Sequence, residues 1–133
     1  MSNFRTKLIN FKNALDRLEE SVVELEKSDD HAVIRDGVIQ RFEFTYELAW
    51  KATKAYLEDI GLVDRNSPKA VIKEAYAQKL IFHEQYWLAM LDDRNKTVHV
   101  YNEQMAKDIV ARIIDKYIPE LRSLVSILEK TFP

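Results

Sequence analysis

Eight consecutive residues, Arg94-Asn95-Lys96-Thr97-Val98-His99-Val100-Tyr101, bring a guanidinium, an imidazole and a phenol together. That combination suits work on a phosphate. Arginine presents a planar fork to two phosphate oxygens and stays charged at any relevant pH. Histidine titrates near neutrality and can move a proton. Together they fit the attack of a ribose 2′-hydroxyl on the adjacent phosphodiester, with Arg94 stabilising the charge that develops. The chemistry requires no metal, so none is expected, and no cofactor is implied. It does require one acid and one base. One chain carries one motif histidine, whereas a two-fold dimer with His99 near its axis carries two. Tyr101 is the third candidate for such a site.

The placement of Arg94 is also unusual. At about 100° per residue it falls nearly in line with Trp87 and Leu91, while Asp92, Asp93 and Lys96 point elsewhere. A charge on an apolar stripe needs a partner or a ligand, because an unpaired buried charge is costly. The plainer reading is that Arg94 pairs internally with an acid such as Glu43, Asp92 or Asp93, and that His99 caps a helix end.

Other candidates are weaker. Arg41 lies on the apolar half of the second helix, either lining the same cleft as a second phosphate contact or snorkelling at an interface edge. Glu43 and Glu47 fall on the polar face of that helix and read as solvated. His31 and His83 stand near helix starts and read as structural or exposed. Asp92 and Asp93 hint at a metal, but neighbours on a helix diverge by about 100°. Trp50 and Trp87 read as core or interface anchors.

The elements that must position these groups are helical. Phe4, Leu8, Phe11, Leu15, Leu18, Val22 and Leu25 alternate spacings of four and three, the stripe of one bundle wall. Ser28 to Asp30 offer caps for a second helix from His31 to Ile60, with Gly61 placed to end it. Its polar face is Asp36, Gln40, Glu43, Glu47, Lys51, Lys54 and Glu58. Phe44, Tyr46 and Trp50 widen its apolar side beyond what a small bundle can cover, which predicts association through this helix. Ser67-Pro68 opens a short third helix. A fourth runs from about His83 to near Thr97, after which Tyr101 falls in a short connection. Asn102 caps a fifth, which Pro119 kinks or restarts. The predicted fold is all-α, an antiparallel four- to five-helix up-and-down bundle in one domain over residues 1–133.

Composition narrows the function classes. Apolar residues at 47% and charged residues at 32% suit a soluble helical protein, and a net charge of −2 argues against general affinity for nucleic-acid backbone. The absence of cysteine excludes a disulfide framework and a thiolate metal site. No apolar run spans a membrane and the N-terminus lacks a signal-peptide core, so the cytoplasm is the expected compartment.

The pattern Arg94-x4-His99-x-Tyr101 resembles the signature of the HEPN family (higher eukaryotes and prokaryotes nucleotide-binding). The run Arg35-Asp36-Gly37-Val38-Ile39-Gln40-Arg41-Phe42-Glu43-Phe44-Thr45-Tyr46-Glu47-Leu48-Ala49-Trp50-Lys51 resembles the second helix of its branch of nucleotidyltransferase substrate-binding proteins. The Ser67-Pro68 start, Trp87-Leu88-Ala89-Met90-Leu91-Asp92-Asp93-Arg94-Asn95 and the Tyr117-Ile118-Pro119 break fit the same branch, so the resemblance spans roughly residues 5 to 128. It implies a dimerising HEPN-like bundle partnered by a minimal nucleotidyltransferase. In toxin–antitoxin members the HEPN protein is a metal-independent RNase. The partner silences it by attaching AMP to the motif tyrosine, here Tyr101. Asn95 joins the site as a lining residue only through this resemblance.

Three functions are compatible with this reading. The chain is a HEPN ribonuclease, acting on RNA and paired with a nucleotidyltransferase, or a non-catalytic subunit that binds the substrate or nucleotide for that enzyme. The third is a helical interaction protein whose motif is a structural ion pair.

Overall fold

Every apolar residue of the first stripe is buried along one side of α1 (Phe4–Lys27), and that side lies along α2 (Ala32–Asp59) for most of its length. The computed structural model describes residues 3–99 and 102–131, without the side chains of Val98 and His99. After α2 come α3 (Pro68–Ala77), α4 (Glu84–His99), α5 (Glu103–Arg112), a π-helical turn (Ile113–Tyr117) and α6 (Ile118–Glu129). Among the described residues there is no strand. The architecture is the expected antiparallel bundle, with five helices of which the last is interrupted.

Local chemistry explains most boundaries. Ser67 accepts from the Ala70 amide with Pro68 in the first turn of α3, and Asn102 Oδ1 accepts from the Met105 amide at 2.8 Å to start α5. Gly61 ends α2 at φ +92°. Its amide bonds Glu58 O and the Leu62 amide bonds Leu57 O, the paired closure that a left-handed residue permits. The start of α2 departs from expectation. His31 caps it, its Nδ1 accepting from the Val33 amide. Ser28 Oγ accepts from the His31 amide one step earlier, and Asp30 is drawn away to Arg35. The fourth helix also runs further than expected, through His99.

Pro119 produces a wide turn more than a kink. The Ile118 amide reaches back five residues to Ile113 O just before the proline, which has no N–H to give. Ile113 and Tyr117 are buried within that turn.

The core explains why α2 is so apolar. It is flanked by α1, α3 and α5, and these neighbours cover more of its circumference than the sequence pattern allows for. Of the three residues expected to be surplus, Tyr46 is fully buried and Trp50 half-buried; only Phe44 is exposed, at 61%. No helix among the described residues is long and apolar enough to cross a membrane.

Candidate functional site

Arg94 reaches from α4 across to α2. Its Nη2 donates to Glu47 Oε1 in a close ion pair, and its Nη1 approaches Asn95 Oδ1 at 3.4 Å. This corrects two expectations. Glu47 is not a solvated face residue, and the acid that meets Arg94 is neither Glu43, Asp92 nor Asp93. The second oxygen of Glu47 accepts from Trp50 Nε1 at 3.2 Å and lies 3.8 Å from Lys51 Nζ. Arg94 keeps 29% of its side chain exposed. Both terminal nitrogens thus have a contact, firm to Glu47 and long to Asn95, while part of the side chain remains exposed.

Two further α2 groups share this neighbourhood. Glu43 is half-buried, and burial raises its pKa above the ordinary carboxyl value, with the Thr97 hydroxyl and the Arg94 charge pulling the other way. Tyr46 carries a buried hydroxyl with no hydrogen-bond partner among the described residues. Burial raises its pKa as well; Arg94 opposes that and Glu47 adds to it, so the phenol lies in the field of the ion pair. Glu43, Tyr46 and Glu47 from α2, with Arg94 and Thr97 from α4, form one polar cluster between two helices.

The neighbour of Arg94 faces inward. Asp93 is 2% exposed and takes a two-pronged contact from Arg112, Nε to Oδ2 at 2.7 Å and Nη2 to Oδ1 at 2.8 Å. The Tyr117 hydroxyl donates to Oδ2 at 2.5 Å. The phenol's pKa is raised, first by burial and then by this bond. The network fastens α4 to α5 and the π turn and so sets where Arg94 stands.

The remaining candidates separate. Arg41 is exposed and lines a groove between α1 and α2 with Arg17, Ser21 and Ile34. It does not join Arg94 within one chain. Asp92 pairs with Lys96 on the surface at 2.9 Å, and His83 Nδ1 lies 2.9 Å from Glu120, whose other oxygen accepts from Trp87 Nε1. Asn95 is exposed beside Arg94. His99 closes α4, but its side chain lies outside the described residues, as does Tyr101. Among the described residues no group of three or more acids and histidines could hold a metal.

With the site in place, likeness to known proteins becomes informative. A family model described as "nucleotidyltransferase substrate binding protein like" matches residues 6–130, nearly the whole chain. The chain belongs to this family. A curated relative of this HEPN-branch chain, from Haemophilus influenzae, is named a probable ribonuclease HepT. It is 31% identical, over 74% of this chain and 75% of its own length. A solved structure from Thermus thermophilus is 38% identical, covers 89% of this chain and 98% of its own, and superposes with a TM-score of 0.79. Another from Haemophilus influenzae, described as the fold of a substrate binding domain of a nucleotidyltransferase, is 31% identical. It covers 92% and 98% of the two chains, with a TM-score of 0.77. A Shewanella oneidensis HEPN toxin, solved tri-AMPylated with its MNT antitoxin, shares the fold. Its TM-score is 0.77 over 96% of each chain, at 16% identity.

Two structural features of this HEPN-family chain escape sequence reasoning. The Asp93–Arg112–Tyr117 network joins residues far apart in sequence, and helical spacing carries no sign of it. Arg35, 4% exposed, stands out in the sequence only as part of the family run. It donates to Asp30 O and Oδ2 and lies 3.5 Å from Glu103, joining the start of α2 to the first turn of α5. A helical wheel places it in line with Phe42 and Tyr46, the one available signal.

Proposed function

We propose that this chain is the HEPN-type partner of a minimal nucleotidyltransferase in a two-component, toxin–antitoxin-like module. It acts in the cytoplasm as a single-domain homodimer that cleaves RNA without a metal. Arg94 stabilises the phosphodiester charge, His99 transfers the proton, Asn95 lines the site, and Tyr101 is where the partner attaches AMP. The observation that carries this reading is the state of Arg94: a cation on a stripe otherwise apolar, paired with Glu47 yet still 29% exposed. An arginine that served only packing would have its donors consumed inside. The ribonuclease name of the curated relative and the AMP-bearing toxin with the same fold support it. Arg41, on the α1–α2 face, is a phosphate contact only for a strand that also follows that groove.

A second reading has its own support: a non-catalytic subunit that binds substrate or nucleotide for the transferase. The internal Glu47 pairing and the family description both favour it. Incubating the protein with RNA in the presence of EDTA separates the two. Cleavage that vanishes in His99→Ala and Arg94→Ala, with little change in thermal midpoint, is expected of the nuclease. A stability loss of about 1–3 kcal/mol without any cleavage would point to a structural motif. Co-expression with an adjacent gene carrying a Gly-Ser-x10-Asp-x-Asp signature, followed by intact-mass spectrometry, tests the partner. AMP-sized adducts absent from Tyr101→Phe support modification, and a stable complex without adducts supports the binding subunit.

A further inference from the structure

We propose that Glu47 is the positioning residue for Arg94, a carboxylate braced on α2 that fixes one edge of the guanidinium so that its other N–H donors face the phosphodiester. The inference rests on the ribonuclease reading of the site and adds to it a residue from a different helix.

Geometry carries the argument. The Glu47 carboxylate is itself held at both oxygens. Oε1 takes Arg94 Nη2, while Oε2 takes the indole N–H of Trp50 at 3.2 Å and has Lys51 Nζ at 3.8 Å. Trp50 is half-buried against the core, so its indole is a fixed post and not a roaming donor. Arginine otherwise carries a large rotamer freedom that must be given up before it can bind a phosphate in one orientation. A partner that removes this freedom in advance raises turnover, because an ångström of misplacement at a reacting centre costs heavily. The same bracing argues against a blocking role. A carboxylate that competes with substrate for the arginine has to swing aside, and this one is anchored by two neighbours on its own helix.

The arrangement has a distinctive consequence. Glu47 places a negative charge beside the path of a polyanion, so it opposes binding while it assists the chemical step. Replacing it therefore lowers kcat without raising KM, a split that a merely structural residue would not give.

The test is Glu47→Gln in the full-length protein. It keeps the side-chain length and a carbonyl acceptor at a half-exposed position. With single-stranded RNA as substrate, kcat is expected to fall roughly ten- to a hundredfold, with KM unchanged or lower and the thermal midpoint preserved. Glu47→Asp, too short to reach Arg94, should behave like Glu47→Gln and not like wild type. A rise in kcat would identify Glu47 as a block, and a loss that tracks a falling thermal midpoint would make it structural; either overturns the proposal. NMR of the arginine side-chain N–H groups gives a second measure, independent of cleavage. Arg94 should show a distinct, slowly exchanging signal in wild type that merges with the exposed arginines in Glu47→Gln. A signal unchanged by the substitution would refute the positioning role. A protein that cleaves no RNA yet shows this NMR change would refute the nuclease reading alone.

Discussion

Asp93 and Arg94 are adjacent in sequence, yet one is a structural anchor and the other a candidate for chemistry. A step of one residue turns about 100° around a helix. That single step carries Asp93 into the contact with Arg112 and Tyr117, and Arg94 outward to Glu47. Removing the buried acid strands a guanidinium and a phenol that both point at it. Asp93→Ala is therefore expected to lower unfolding stability by about 3 kcal/mol, read by urea denaturation. Asp93→Asn should cost less, since it keeps an acceptor for Tyr117. Glu43 behaves in the opposite sense. Its pKa is raised in the folded state, so folding disfavours its ionised form and the penalty appears as the carboxyl ionises. The penalty is absent below the unfolded value near 4.5 and grows as pH rises through the higher folded value. Glu43→Gln should therefore have a higher thermal midpoint than wild type at pH 7. The two should converge as pH drops below 4.5, and a constant offset at all pH values would contradict this account.

At the scale of elements, most of the fold was legible and most of the contacts were not. The heptad stripe of α1, the Ser67-Pro68 and Asn102 starts and the Gly61 stop are local signals, written within a few residues, and the chain folds as they indicate. The partner of Arg94 was not legible. Spacing says which residues share a face of one helix, but not which acid on another helix will meet them. Glu47 looked solvated because it lies on the polar side of α2, and α4 comes to that side. The misjudged surplus on α2 has the same origin. A helix wheel does not know how many neighbours a helix will have, and Tyr46 is covered by them. One helix end had no glycine to reveal it. Lys79 stands at φ +62° after α3, its amide bonding Tyr76 O while the Leu80 amide bonds Ala75 O. This is the geometry Gly61 adopts without strain. Lys79→Gly is expected to stabilise the protein by up to about 1 kcal/mol, because the left-handed conformation costs a side chain about that much. Thermal denaturation reads the change; a destabilised variant would mean that the lysine side chain contributes a contact of its own.

At the scale of the whole molecule, the proposed acid–base mechanism asks for a second copy of the chain, and α2 has a face that could receive it. Phe44 is the large apolar side chain left exposed midway along the helix. With Leu48 it meets Asn10, Asn13 and Arg17 of α1 in a shallow groove. The neighbouring groove, shared through Arg17, continues past Arg41 to Ile34. At 100° per residue, Phe44 sits about 60° from Glu47 on one side and about 60° from Arg41 on the other. Two chains meeting at Phe44 would therefore bring their Arg94–Glu47 pairs towards a shared cleft, the arrangement in which two copies of His99 can serve as acid and base. A stable contact needs about 800 Å² from each partner, more than one side chain supplies. The α1–α2 groove must then contribute along with it. Sedimentation at micromolar concentration is expected to show a dimer for the wild type and a monomer for Phe44→Glu. The substituted residue is exposed, so unfolding stability per chain should shift by no more than about 0.5 kcal/mol. RNA cleavage should fall with the dimer and return when the concentration is raised. A Phe44→Glu protein that stays dimeric would move the interface elsewhere. A wild type that is monomeric and still cleaves would show that one chain holds both the acid and the base.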